Sequence, residues 1–167
     1  PGPGGIAMAK TMIEADGGTY KEGDITPVNH SFYHTDALLT DKADAATLIF
    51  ENFEILEAKN QGLNVDYFPL KNYNVPDFCQ LIFITTPEVL NTSEIKLRKF
   101  LKVIQKAIHY INHHLASAIE IYSMYTRTDI SNQLNKDTIE ATAKCFTNDL
   151  SMSSDYYNDL QLSLIHI

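Results

Sequence analysis

Leu97, Phe100, Leu101, Ile104, Ala107, Ile108 and Ile111 recur at offsets of i, i+3, i+4, i+7, i+10, i+11 and i+14. Only helical periodicity brings that series onto one side of a chain. It commits a stretch of about 20 residues to a helix with a continuous apolar stripe, and so to packing against another element. Asn91 and Glu94 have the spacing of a capping box and are expected to open this helix. Lys96, Arg98, Lys99, Lys102 and Lys106 fall mostly on the other face. Leu115 to Tyr125 and Lys136 to Leu150 are expected as two further helices.

The first half has a different rhythm. PGPGG (Pro1–Gly5) reads as a turn, followed by a helix from Ile6 to Ala15 that Gly17 and Gly18 stop. DITPVNH (Asp24–His30), AATLIF (Ala45–Phe50), Val65–Pro69 and QLIFIT (Gln80–Thr85) are expected as strands, the last being the strongest such signal. Thr35–Thr40 is a short helical turn, and Asn52–Asn60 a helix with Asn52 as a cap and Gly62 as its stop. Strands alternating with helices point to an α/β fold with a parallel-rich sheet. The expected division is an α/β lobe over residues 1–85, a helical return segment over 86–156, and a tail over 157–167 outside the fold. The glycine-rich opening and the closing LSLIHI are read as cut ends.

The formal net charge is −8, from 21 acidic and 13 basic residues. A chain so charged lacks the basic footprint that nucleic acid or an anionic membrane surface requires. With 44% hydrophobic and 20% charged residues, composition is that of a folded protein. No apolar run reaches the length of a membrane span. Cys79 and Cys145 are too isolated for a disulfide framework or a metal site and are expected as small buried hydrophobes. His113 and His114 close the long helix, and without a cysteine or carboxylate at ligand spacing no zinc site is expected there. His30 and His34 are expected in a loop or core role. No catalytic motif is present, so no catalytic residue, metal or cofactor is assigned.

Three segments could hold a ligand. PGPGG offers glycines, Gly4 and Gly5, that admit close approach to the backbone at a helix N-terminus. Phe50-Glu51-Asn52-Phe53-Glu54 sits where a strand is expected to end, the place where ligands gather in α/β sheets. A carboxylate there can accept two hydrogen bonds from an amino-substituted heterocycle, and an aromatic ring can stack on its face. The bland alternative is that Glu51 and Glu54 only complement a helix dipole. Asn74-Val75-Pro76-Asp77-Phe78 could line a cleft as a rigid loop, or simply connect two elements.

The order of these pieces carries a resemblance. LLTDKADAA, IFENFE, YFPLKNYNVPDF, QLIFIT and LRKFLKVIQKAIHYINHH follow the glycine turn in a sequence that resembles the substrate-binding proteins of the NMT1/THI5-like family. Within it, the likeness is to ABC-transporter receptors for thiamine pyrimidine precursors, hydroxymethylpyrimidine or a formylaminopyrimidine. The resemblance implies a type II periplasmic-binding-protein fold, of which this stretch is mainly the second lobe plus C-terminal helices. It implies an extracytoplasmic receptor, free or lipid-anchored, that delivers a small pyrimidine to a transporter permease. By motif position, Glu54 matches the glutamate that bonds the aminopyrimidine. Phe50 matches an aromatic position, often tyrosine, one turn earlier. Asn52 lies between them. Pro76 and Phe78 match the hinge loop, and Gly4 and Gly5 the ligand-approaching turn. The family also contains iron-using pyrimidine phosphate synthases with a cysteine-rich cluster, which the two distant cysteines here do not form. A receptor for another nitrogenous or sulfonated solute is the remaining alternative.

Overall fold

The computed structural model describes residues 3–31, 33–75, 81–151, 154, 155, 157 and 158. The chain divides into two compact units, one formed by residues 1–78 with those after 152, the other by residues 79–152.

The first unit begins with helix α1 (Pro3–Ala15). The expected turn at Gly4 and Gly5 is instead the first turn of this helix. Proline favours that outcome, because its fixed φ suits a helix start and its missing N–H has no intrahelical partner to lose. Gly17, at φ 84°, ends α1 as expected, with Gly18 N–H returning to the Ile13 carbonyl at 2.8 Å. α1 packs against a 3-10 turn at Leu70–Tyr73. Helix α2 (His34–Leu39) buries Thr35 and Ala37. Its first turn is tied to the preceding loop by His30 Nε2 and Asp36 Oδ2, 2.8 Å apart. A π-helical turn at Glu51–Ile55 runs directly into helix α3 (Leu56–Asn60), burying Ile55 and Ala58. Gly62, at φ 85°, stops it as expected.

The expected strands are not formed among the described residues, and the α/β expectation for this stretch is corrected to helices joined by irregular segments. A strand is a paired object: an apolar run becomes one only when a neighbour completes its ladder. AATLIF is also interrupted from within, because Leu48 sits at φ 60°, in the left-handed region. Leu81 and Ile84 of QLIFIT are 85% and 86% exposed, with no sheet beneath them.

The second unit is helical, as expected. Helix α4 (Pro87–His113) starts four residues before Asn91. Thr86 is the actual cap, its Oγ1 accepting from Val89 N–H at 3.2 Å, with Pro87 in the first helical position. The Asn91–Glu94 signal marks a kink instead, for Ser93 has non-helical angles (φ −130°, ψ 20°). Helix α5 (Leu115–Thr126) packs on α4, and helix α6 (Gln133–Ala143) packs on α5. α6 starts earlier than expected because Asn132 caps it, accepting from Asn135 N–H at 3.2 Å, and it ends earlier, at Ala143. Of the apolar stripe, Ile108 is buried at 6% exposure, while Phe100 and Leu101 remain 44% and 43% exposed. Phe100 meets Phe83 edge-on at 5.1 Å between ring centres. Cys145, expected in the core, is exposed in the turn after α6; Cys79 lies outside the described residues.

Candidate functional site

The Phe50–Ile55 turn concentrates carboxylates at a helix start, and each has a defined partner. Phe50 precedes the first turn with extended angles (φ −101°, ψ 125°) and has no side chain able to cap it. Its N–H is satisfied by Glu54, whose Oε2 accepts at 2.8 Å. The Phe50 carbonyl accepts in return from Phe53 N–H and Glu54 N–H at 3.1 and 3.0 Å. The carboxylate thus reaches back over the turn in the manner of a capping glutamate, where the positive end of the helix dipole favours it.

Glu51 is exposed at the head of the same turn. The Tyr67 hydroxyl donates to it, and that bond, with the nearby negative charge, raises the tyrosine above its ordinary pKa. Glu57, one turn further on, accepts from Thr35 Oγ1 at 2.6 Å and so ties α2 to α3. The Phe50 and Phe53 rings meet edge-on at 6.3 Å. Phe53 is half exposed and offers an aromatic surface beside the carboxylates.

Phe50, Asn52 and Glu54 therefore share one turn, half-buried, with Glu54 fixed in direction by the backbone. Gly4 and Gly5 lie on α1, a separate element of the same unit. Gly5 is buried; a Cβ at Gly4 would meet nothing within 4 Å. Pro76 and Phe78 lie outside the described residues; the chain leading to them passes through Asn74, at φ 61°, and the buried Val75. A shallow groove in the second unit, lined by Arg98, Leu101, Lys102, Gln105 and Asp149, contains none of the candidate residues. Sequence reasoning missed Tyr67, whose one available signal was a polar-tipped aromatic next to Asp66 in a segment expected as a strand.

The NMT1/THI5-like family model matches residues 1–118. A formylaminopyrimidine-binding protein from Halalkalibacterium halodurans is 26% identical over 125 residues, 75% of this chain. This chain spans 37% of that relative's length. No solved structure gives a significant match. No described helix is long and apolar enough to cross a membrane. With most of its length matched, from the glycine-led α1 through the Glu54 turn to α4, this chain belongs to the NMT1/THI5-like family.

Proposed function

We propose that this chain is part of a solute-binding protein that captures an amino-substituted pyrimidine, a thiamine precursor of the formylaminopyrimidine or hydroxymethylpyrimidine type. In this reading the whole protein has two α/β lobes of the type II periplasmic-binding-protein kind. It works outside the cytoplasm and hands its ligand to an ABC-transporter permease.

The observation that carries the reading is the placement of Glu54. It stands on an aromatic turn, held at one oxygen by Phe50 N–H. A carboxylate has about four lone-pair sites, so one backbone bond leaves acceptor capacity for the exocyclic amine of an aminopyrimidine, and for a ring nitrogen when it is protonated. Phe50 in a position where relatives often carry tyrosine keeps a stacking face and gives up one polar contact. Glu51, with the Tyr67 phenol on it, adds a polar margin. Gly4, Gly5, Asn52, Pro76 and Phe78 complete the proposed ligand-facing set. Such a site needs shape, a carboxylate and aromatic walls, with no nucleophile or metal. The formylaminopyrimidine named for the relative fits that chemistry.

A thermal-shift screen of the full-length protein against formylaminopyrimidine, hydroxymethylpyrimidine, thiamine and unrelated solutes tests the reading. Selective stabilisation by the aminopyrimidines is the expected result, since a ligand that binds only the folded state raises its melting temperature. Stabilisation by an unrelated solute alone would reject it.

A further inference from the structure

We propose that His109 and His113, on the last turns of α4, form a bidentate site for a late divalent transition cation: Zn²⁺, Ni²⁺ or Cu²⁺. The two residues are four apart on one exposed helix face. Their ring centres lie 4.0 Å apart with the planes 33° from parallel. Two metal–nitrogen bonds of 2.0–2.1 Å at a tetrahedral angle place the nitrogens about 3.3 Å apart. The rings are stacked in this structure, so both must turn out of the stack for two nitrogens to face one ion, and their exposed i, i+4 positions leave room for that.

The tautomer is set as well. His113 Nδ1 lies 2.7 Å from the His109 carbonyl oxygen. A carbonyl can only accept, so Nδ1 carries the proton and the lone pair of the neutral ring is on Nε2. An imidazole held by a carbonyl on one nitrogen and free to coordinate through the other is the usual arrangement of a metal-binding histidine. His113 is also the last residue of α4, where the negative end of the helix dipole attracts a cation. Lys106, three residues before His109, opposes binding and keeps it moderate.

Imidazole pairs select zinc, nickel and copper; magnesium and calcium prefer oxygen. Among the described residues no group of three or more histidines, cysteines or carboxylates could surround an ion. Water therefore completes the coordination, and the cation exchanges readily. The neighbouring pair His113–His114 lacks the i, i+4 spacing that puts two side chains on one face, and His114 has left the helix at φ −137°, ψ 47°. His114 stacks instead on Tyr110, ring centres 5.0 Å apart.

Calorimetric titration of the untagged full chain with Ni²⁺, and separately Zn²⁺, at neutral pH tests the site. One equivalent is expected to bind. His109→Ala and His113→Ala should each weaken it by roughly tenfold or more, the scale on which metal affinity responds to changes around a ligand. His114→Ala should leave it unchanged. Absence of binding, or wild-type affinity in the His109 and His113 variants, would overturn the proposal.

Discussion

The Phe50 N–H and the Glu54 carboxylate close a 2.8 Å hydrogen bond across a single turn. The same side chain therefore caps a helix start and is the one proposed to bind the ligand. These two roles separate by substitution. Glu54→Ala removes the acceptor and should cost about 0.5–2 kcal/mol of stability, the range for a lost helix cap. Glu54→Gln keeps an oxygen at the same place and should cost less. Urea denaturation of both variants checks the order.

Thr35 and Glu57 should couple. The hydroxyl is buried and its 2.6 Å bond joins two helices. Thr35→Val removes that donor from a carboxylate that water can still reach and should destabilise by about 0.5–1.5 kcal/mol. A double-mutant cycle with Glu57→Gln should return a coupling of about 0.5–3 kcal/mol. Strict additivity would show that the bond contributes nothing in solution.

The stripe on α4 should divide by burial. Ile108→Ala should cost about 2–5 kcal/mol, because it empties buried volume. Leu101→Ala, at 43% exposure, should cost about 1 kcal/mol. Chemical denaturation of the two variants measures the difference, and equal losses would mean that Leu101 is covered in solution.

Three groups give a pH dependence with opposite signs. Tyr67 is raised by its bond to Glu51, so its contribution is complete below the ordinary tyrosine value of about 10 and is lost as pH climbs through the folded value. Asp129 is lowered by the Ser131 hydroxyl and backbone N–H, and Asp149 by the backbone N–H and hydroxyl of Ser151. Their contributions are complete above the ordinary aspartate value of about 4 and are lost as pH falls through the folded values. Tyrosinate absorbance should rise later in the wild type than for free tyrosine, and Tyr67→Phe should delete that late component. Asp129→Asn should flatten the acid limb of the stability curve.

The helices were legible where a periodic stripe or a glycine stop marked them. Leu115–Thr126, Gly17 and Gly62 stand where periodicity and glycine chemistry place them. The start of α4 was hidden because Asn91–Glu94 imitates a cap while Thr86–Pro87 supplies one. The expected strands are not formed among the described residues, since AATLIF and QLIFIT specify only an apolar run, and a run becomes a strand only when a neighbour completes its ladder. Leu48 at φ 60° has no signature in its own identity.

The candidate site was readable as a composition, aromatic and acidic residues at Phe50–Glu54. Its wiring was not. The reach of Glu54 back to Phe50 depends on a widened helical turn, and the Glu51–Tyr67 bond joins segments that no local rule connects.

Titration of the full-length protein and its Glu54→Gln variant with formylaminopyrimidine addresses the central claim directly. Losing the charge on the acceptor should weaken binding by about 1.5–3 kcal/mol, the value of a hydrogen bond to a charged group. Wild-type affinity in the variant would remove Glu54 from the site and contradict the account.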